Sequence, residues 1–264
     1  MLKEISVRIR QGHRTMKFPS GPPPVLPERY RGLPVLSAGK CPEDCQDCVA
    51  ACPTGALTRT GKRTLDIGKC LFCSDCITAC KYGAICFSKE YRMAVSNRED
   101  LLLGEGQTSL QLAAALDGKM KQLLGRSLKL RQVSAGGCNA CEADVNVLGT
   151  IGWDLGRFGI QFVASPRHAD GLLITGPVTS NMELALRKTY DAIPDPKIVI
   201  AVGACALSGG PYVDHDEVLN GAESLFHVDL FIPGCPPNPL TILDGLLRLI
   251  GKIKGRDSSC NPTI

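Results

Sequence analysis

The sequence predicts an α/β fold: a mostly parallel sheet covered by helices, preceded by a small, cysteine-rich α+β domain. Three observations carry this. Residues 127–264 alternate strand-like and helix-like segments. Residues 38–97 hold nine of the fourteen cysteines. That same stretch contains an internal repeat, in which Cys48-Val49-Ala50-Ala51-Cys52-Pro53-Thr54-Gly55-Ala56-Leu57 parallels Cys76-Ile77-Thr78-Ala79-Cys80-Lys81-Tyr82-Gly83-Ala84-Ile85. Each half reads as a short helical turn followed by a strand.

In chain order, residues 1–37 read as an extended arm. Pro19, Pro22, Pro23, Pro24, Pro27 and Pro34 are incompatible with a regular helix or a central strand. Lys3, Arg8, Arg10, Arg14 and Lys17 make its beginning basic. Such an arm is either a free tail or a strap over a partner subunit. Residues 38–97 are too few for a large core and need staples. Residues 98–126 read as a helical connector. Leu110, Leu112, Ala113, Leu116, Met120, Leu123 and Leu124 fall roughly on one helical face, with Thr108 or Ser109 as cap.

Residues 127–264 form the larger domain. Its strand candidates are Leu128 to Val133, Ile160 to Ala164, Leu172 to Thr175, Ile198 to Val202 and Val228 to Ile232. Its helix candidates are Asn181 to Tyr190 and Leu240 to Ile253, the second opened by Asn238 as cap and Pro239 at the first helical position. Leu240, Leu243, Leu246, Leu247 and Ile250 suit a core face; a membrane-surface face is the other reading.

Composition narrows the function classes. At 264 residues, 44% hydrophobic and 21% charged, the chain is globular in character. No apolar run approaches the roughly 20 residues that span a bilayer. Met1 to Gln11 shows neither the apolar stretch of a secretory signal nor an Arg-Arg pair, which predicts a cytoplasmic chain. Many thiols in a reducing compartment point to metal or redox chemistry rather than to disulfides. Residues 1–97 carry 15 Lys and Arg against 8 Asp and Glu, whereas the remainder carries 15 against 18. The basic half is either a solvated surface or an offset for thiolate-ligated iron. Five per cent aromatic residues and no binding module argue against nucleic acid.

The first cysteine constellation is Cys41-x3-Cys45-x2-Cys48-x3-Cys52-Pro53 with Cys70-x2-Cys73-x2-Cys76-x3-Cys80. Three closely spaced thiolates on a loop can wrap one face of an iron–sulfur cubane. The fourth points away and ligates the other cluster, as in two-cluster ferredoxins. The spacing therefore predicts one [4Fe–4S] cluster on Cys41, Cys45, Cys48 and Cys80, and a second on Cys70, Cys73, Cys76 and Cys52. Two zinc ions are the competing reading, although zinc pairs usually stand farther apart. Cys41, behind a three-residue gap, departs from the usual spacing, and Lys81 replaces the usual proline.

The second constellation is dispersed: Cys138 and Cys141, Cys205 in Gly203-Ala204-Cys205, and Cys235 in Pro233-Gly234-Cys235-Pro236-Pro237. Each motif follows a predicted strand. Loops after parallel strands emerge at one sheet edge, so four thiolates can converge there on a third [4Fe–4S] cluster. Gly136, Gly137, Gly203 and Gly234 would let the backbone approach it. Buried structural cysteines are the alternative. Cys86 and Cys260 remain as ordinary thiols. Neither G-x-G-x-x-G nor G-x-x-x-x-G-K-[ST] occurs, so no nucleotide loop is predicted. Lys69 and Lys81 are candidates to raise cluster potentials. Glu142 and Asp144 are candidates for partner contact or proton movement, with a helix-start carboxylate as the alternative. Arg167 and His168 are candidates to support the ligands from behind or to face a partner, with structural roles as the alternative.

At Arg157-Phe158-Gly159-Ile160, Ala164-Ser165-Pro166-Arg167-His168-Ala169-Asp170, Leu173-Ile174-Thr175-Gly176-Pro177-Val178-Thr179 and Pro233-Gly234-Cys235-Pro236-Pro237-Asn238-Pro239, the chain resembles the small subunit of group 4 membrane-bound [NiFe] hydrogenases, the formate hydrogenlyase type included. The 20 kDa subunit of respiratory complex I belongs to the same family. From Tyr30-Arg31-Gly32 through Ile67-Gly68-Lys69-Cys70-Leu71-Phe72-Cys73 to Tyr91-Arg92-Met93-Ala94-Val95, the chain resembles the polyferredoxin-like subunit of formate hydrogenlyase, as if the two were fused. Complex I subunits have adjacent cysteines at the first ligand motif. The Cys138-x2-Cys141 spacing here is similar to the hydrogenases.

The resemblance implies a flavodoxin-like domain holding the cluster nearest a nickel–iron centre on a separate large subunit. It implies electron relay for 2H⁺ + 2e⁻ ⇌ H₂ at the cytoplasmic side of a membrane. The implied partners are the complex I 49 kDa-like large subunit, integral membrane subunits, and a formate dehydrogenase or ferredoxin donor. A complex-I-like quinone or ferredoxin oxidoreductase subunit without nickel, and a soluble electron carrier acting alone, are the competing functions.

Overall fold

In the computed structural model, residues 2–12, 14–22, 24–124 and 127–253 are described. Cys260 and Pro23 lie outside them. The chain opens with helix α1 (Leu2–Gln11). The expected extended arm is thus helical at its start, because its prolines begin only at Pro19 and nothing before them interrupts a helix. Residues 15–18 then dock on the chain's own larger domain. Met16 N–H donates to the Gly152 carbonyl at 2.8 Å, and Arg157 Nη2 donates to the carbonyls of Met16 and Phe18. This stretch straps its own chain.

The cysteine-rich part contains β1 (Pro34–Leu36), α2 (Asp47–Ala50), β2 (Leu57–Thr60), β3 (Lys62–Asp66), α3 (Asp75–Ala79) and β4 (Ile85–Phe87). β1 pairs antiparallel with β4. β2 and β3 form a hairpin about Gly61, whose φ of +93° a side-chain-bearing residue adopts poorly. A further strand, β5 (Leu102–Gly104), pairs with β3. This corrects the reading of 98–126 as a helical connector. The segment opens with a 3-10 turn (Arg98–Leu101), enters the small sheet as β5 and then runs extended. It becomes α-helical only at α4 (Gly118–Leu124). Ala113 N–H bonds the Ala94 carbonyl and Leu116 N–H bonds the Leu249 carbonyl, so Leu110 and Ala113 are buried along an extended path, while Leu123 is 61% exposed. Tertiary hydrogen bonds override the helical pattern there.

The larger part runs β6 (Leu128–Ser134), α5 (Ala140–Val147), β7 (Ile160–Phe162), β8 (Gly171–Thr175), α6 (Ser180–Asp191), β9 (Ile198–Val202), α7 (Ala204–Ser208), β10 (Leu230–Ile232) and α8 (Pro239–Leu249). All five strands are parallel, in the order β10-β9-β8-β6-β7. Counted from β6, that is the flavodoxin-like order 2-1-3-4-5. β8 and β9 are buried throughout, which is why they read as continuous apolar runs rather than alternating ones. Asn238 caps α8, its Oδ1 accepting from Leu240 N–H at 2.9 Å. Every residue from Leu240 to Leu249 is buried, which excludes the membrane-surface reading of this helix. Its Asp244 and Arg248 pair at 2.7 Å inside the core, with 2% and 4% side-chain exposure.

One core joins the two parts. Leu33, Leu36, Leu57, Ile67 and Leu101 cluster with Leu172, Ile174, Val199, Phe226 and Phe231. Val95 bridges Phe231 antiparallel at the edge of the large sheet, and Ser208 Oγ donates to the Gly68 carbonyl at 3.1 Å. Among the described residues no helix is long and apolar enough to cross a membrane.

Candidate iron–sulfur centres

Three groups of four thiols emerge from this framework. In the first, the electrostatic neighbours of Cys41 and Cys48 are Cys45 and Cys80. Cys48 lies on α2 and is 3% exposed. The Cys41 and Cys80 side chains are within hydrogen-bonding reach of each other, so the extra residue in the loop does not carry Cys41 away from its group. Burial raises the thiols of Cys41 and Cys48, and Arg63 opposes the rise in both. Burial also works against the Cys80 thiolate, but backbone N–H groups, Ala84 N–H at 3.3 Å first among them, carry its pKa below the ordinary value.

The second group joins Cys70, Cys73 and Cys76 to Cys52. The electrostatic neighbours of Cys70 are Cys76, Cys52 and Cys73. Positive φ at Phe72 (54°) and Ser74 (77°) curls the loop, and Phe72 N–H reaches Cys70 Sγ at 3.4 Å. Burial pushes the Cys70 thiol to about 12 and the Cys76 thiol to about 11, with neighbouring thiolates adding to the rise. A cavity lies here, lined by these four cysteines together with Pro34, Leu57, Leu65 and Phe87.

The third group sits beyond the C-terminal ends of the large sheet's strands. Cys138 and Cys141 follow β6, Cys205 follows β9 and Cys235 follows β10. The neighbours of Cys141 are Cys205, Cys235 and Cys138. Burial raises the Cys141 thiol strongly and pushes Cys205 to about 11. The glycine expectation holds at one position of four. A Cβ on Gly203 (φ +91°) would sit 2.5 Å from Cys141 Sγ. Gly136 and Gly137 instead pack on Thr179 and Gly176, and Gly234 packs on Pro237, because close strand-end turns need those glycines before any cluster does.

The groups lie within electrostatic reach of one another. Cys48 is an electrostatic neighbour of Cys76, and Cys73 of Cys235. Among the described residues, no three His, Cys, Asp or Glu side chains gather on a point as ligands of a single ion do. The donor set fits iron–sulfur clusters: soft thiols in fours, backbone N–H groups aimed at sulfur, and burial around Cys48, Cys70, Cys76, Cys141 and Cys205 that disfavours bare thiolates, with Cys138 and Cys235 exposed.

The remaining candidates separate. Lys81 is 77% exposed and pairs with Asp47 at 3.2 Å. Arg167 and His168 are exposed on a short 3-10 turn. Glu142 is buried beside Cys141 and accepts from Thr175 Oγ1 at 2.6 Å. Burial works against its charge, yet the hydrogen bonds from Ser134 and Thr175 hold its carboxyl below the usual value. Burial alone raises Asp144. Cys86 sits in β4 opposite Val35, outside all three groups. Arg63 was not among the expected residues. It is 1% exposed, and its Nη1 donates to Cys41 Sγ at 3.1 Å. The signal for it was strand alternation, since Arg63 shares the buried face of β3 with Leu65.

Comparison with known proteins converges on the same sheet edge. A profile of the family NADH ubiquinone oxidoreductase, 20 Kd subunit matches residues 138–249, which include Cys138, Cys141, Cys205 and Cys235. A probable membrane-bound hydrogenase subunit mbhJ of Pyrococcus furiosus is 40% identical over 141 residues, covering 52% of this chain and 84% of the relative. The chain belongs to this family. An NADH-quinone oxidoreductase subunit of Clostridium beijerinckii is 45% identical over 118 residues, covering 44% of this chain and 70% of that one. A chain in the structure of the membrane-bound sulfane sulfur reductase (MBS), an archaeal respiratory membrane complex, is 34% identical; the match covers 51% of this chain and 75% of that chain with a TM-score of 0.45. The family comprises oxidoreductase-complex subunits that bind a [4Fe–4S] cluster. Residues 38–97 lie outside the profile's match.

Proposed function

We propose that the chain is the electron-transfer subunit of a membrane-bound hydrogenase complex of the group 4, formate-hydrogenlyase-like type, with a ferredoxin-like two-cluster part fused to the 20 kDa-type part. Its ligands are Cys41, Cys45, Cys48 and Cys80; Cys52, Cys70, Cys73 and Cys76; and Cys138, Cys141, Cys205 and Cys235. When bound, the three [4Fe–4S] clusters supply one-electron redox chemistry. The observation that carries the reading is that the three groups lie within electrostatic reach of one another, Cys48 of Cys76 and Cys73 of Cys235. It supports the sequence first group, second group, sheet edge, with the sheet edge facing the large subunit that holds the catalytic metal.

The protein's own part is to hold and tune. Burial shields Cys48, while Cys138 and Cys235 stand exposed, and the Phe72 and Ala84 N–H groups donate to Cys70 and Cys80. The partners are the large subunit, integral membrane subunits, and a formate dehydrogenase or ferredoxin donor. The chain sits peripherally on the cytoplasmic side.

The Cys138-x2-Cys141 spacing favours the hydrogenase branch. The 45% identity to an NADH-quinone oxidoreductase subunit favours the second reading, a quinone or ferredoxin oxidoreductase without nickel. Nickel analysis of the complex, pulled down anaerobically through this chain, separates them. Stoichiometric nickel with H₂ evolution is the expected result. A complex with its large subunit and iron present but without nickel would establish the second.

A further inference from the structure

Arg63 is placed as no ordinary structural arginine is. Its Nε donates to Glu105 Oε1 at 2.6 Å, its Nη2 to the Ser37 carbonyl at 2.8 Å, and its Nη1 to Cys41 Sγ at 3.1 Å. The strand pairing of β3 with β5 sets this geometry. Arg63 leaves β3 on its buried face, and Glu105 follows directly on β5. A guanidinium is always charged and only donates. A neutral thiol is a poor acceptor for it, whereas a metal-bound thiolate is a good one. Burying the guanidinium is costly unless its partners carry charge, and the single carboxylate of Glu105, 16% exposed, is the carboxylate it pairs with.

The geometry points to Arg63 as the residue that sets the reduction potential of the first centre, with Glu105 as its counterweight. This rests on the assignment of Cys41 as a ligand. Reduction adds one negative charge to a cluster. A fixed positive charge held in a low-dielectric pocket against a ligand sulfur favours the reduced form, and the Glu105 carboxylate partly cancels it. Arg63 thereby controls how strongly the first centre retains an electron. Lys81 sits near the same group but is exposed and paired with Asp47, so water screens it.

The test is an EPR-monitored redox titration of the intact, anaerobically purified complex carrying Arg63→Gln, Arg63→Lys or Glu105→Gln. The relevant signal is the one lost or altered in Cys41→Ser. Arg63→Gln is expected to shift its reduction equilibrium about tenfold towards the oxidised form, about 59 mV for a one-electron couple. Arg63→Lys restores part of the shift. Glu105→Gln moves the same signal in the opposite direction, and the other two signals stay in place. If Arg63→Gln loses the centre altogether, the sign of the Glu105→Gln shift decides. An unmoved midpoint in the variants that keep the signal, or shifts of the same sign in Arg63→Gln and Glu105→Gln, would mean a structural role and overturn the inference while leaving the cluster assignment standing. A wild-type complex with no signal that depends on Cys41 would overturn the assignment itself, and the inference with it.

Discussion

The cysteine-rich part and the sheet edge gather their thiols by different physical means. In the first, six of the eight proposed ligands come from two short loops, Cys41–Cys48 and Cys70–Cys76, and the proposal has Cys52 and Cys80 cross over. Local turns, such as the positive φ at Phe72 and Ser74, do most of the positioning. At the sheet edge, Cys138, Cys141, Cys205 and Cys235 meet only because β6, β9 and β10 are parallel and end together. The local sites therefore depend on loop geometry and the edge site on the register of a whole domain. The two should fail in different ways.

The sharpest break is Cys141→Ser. It removes a thiol buried among the other three of the edge group, so electron transfer to the partner should fall to background. EPR of the same preparation should keep the two ferredoxin-type signals. Cys86→Ser, outside the three groups, should leave iron content and all signals unchanged. Loss of an EPR signal in that variant would break the four-by-three grouping.

Asp244→Asn probes the scaffold behind the edge site. It takes the carboxylate from a buried guanidinium and should cost about 3–5 kcal/mol in denaturant unfolding. Since Asp244 also faces Arg92 and Glu90 of the N-terminal half, both parts should lose stability together. Gly203→Ala is subtler. Its Cβ would meet Cys141 Sγ at 2.5 Å in a left-handed conformation, costing about 1–3 kcal/mol. The edge signal should broaden or vanish while the other two persist. Ser208→Ala deletes the hydrogen bond to the Gly68 carbonyl between the parts and should cost about 1 kcal/mol, the smallest of these effects.

Much of this was legible without coordinates. The βα alternation foretold the parallel sheet, and Ile198–Val202 matches its strand end to end. α8 begins where Asn238 and Pro239 signal. The tandem cysteine spacing predicts the partition into two groups on which the proposed clusters rest. The departures come where long-range contacts outweigh local pattern. The stripe from Leu110 to Leu124 has helical spacing, yet its first half runs extended, held by Ala94 and Leu249. α1 departs from the expected arm because a proline constrains its own position and the residue before it, not a segment eight residues upstream.

The sequence by itself determined the fold class and which thiols stand as candidates, because thiol spacing and strand-to-loop order are local properties of the chain. Only the tertiary structure decided how the three groups stand to one another, with Cys48 in electrostatic reach of Cys76 and Cys73 of Cys235. It also decided that a buried arginine rather than an exposed lysine reaches Cys41 Sγ. Those outcomes depend on which strands pair and which side chains share the core, and such contacts leave no fixed spacing in the chain.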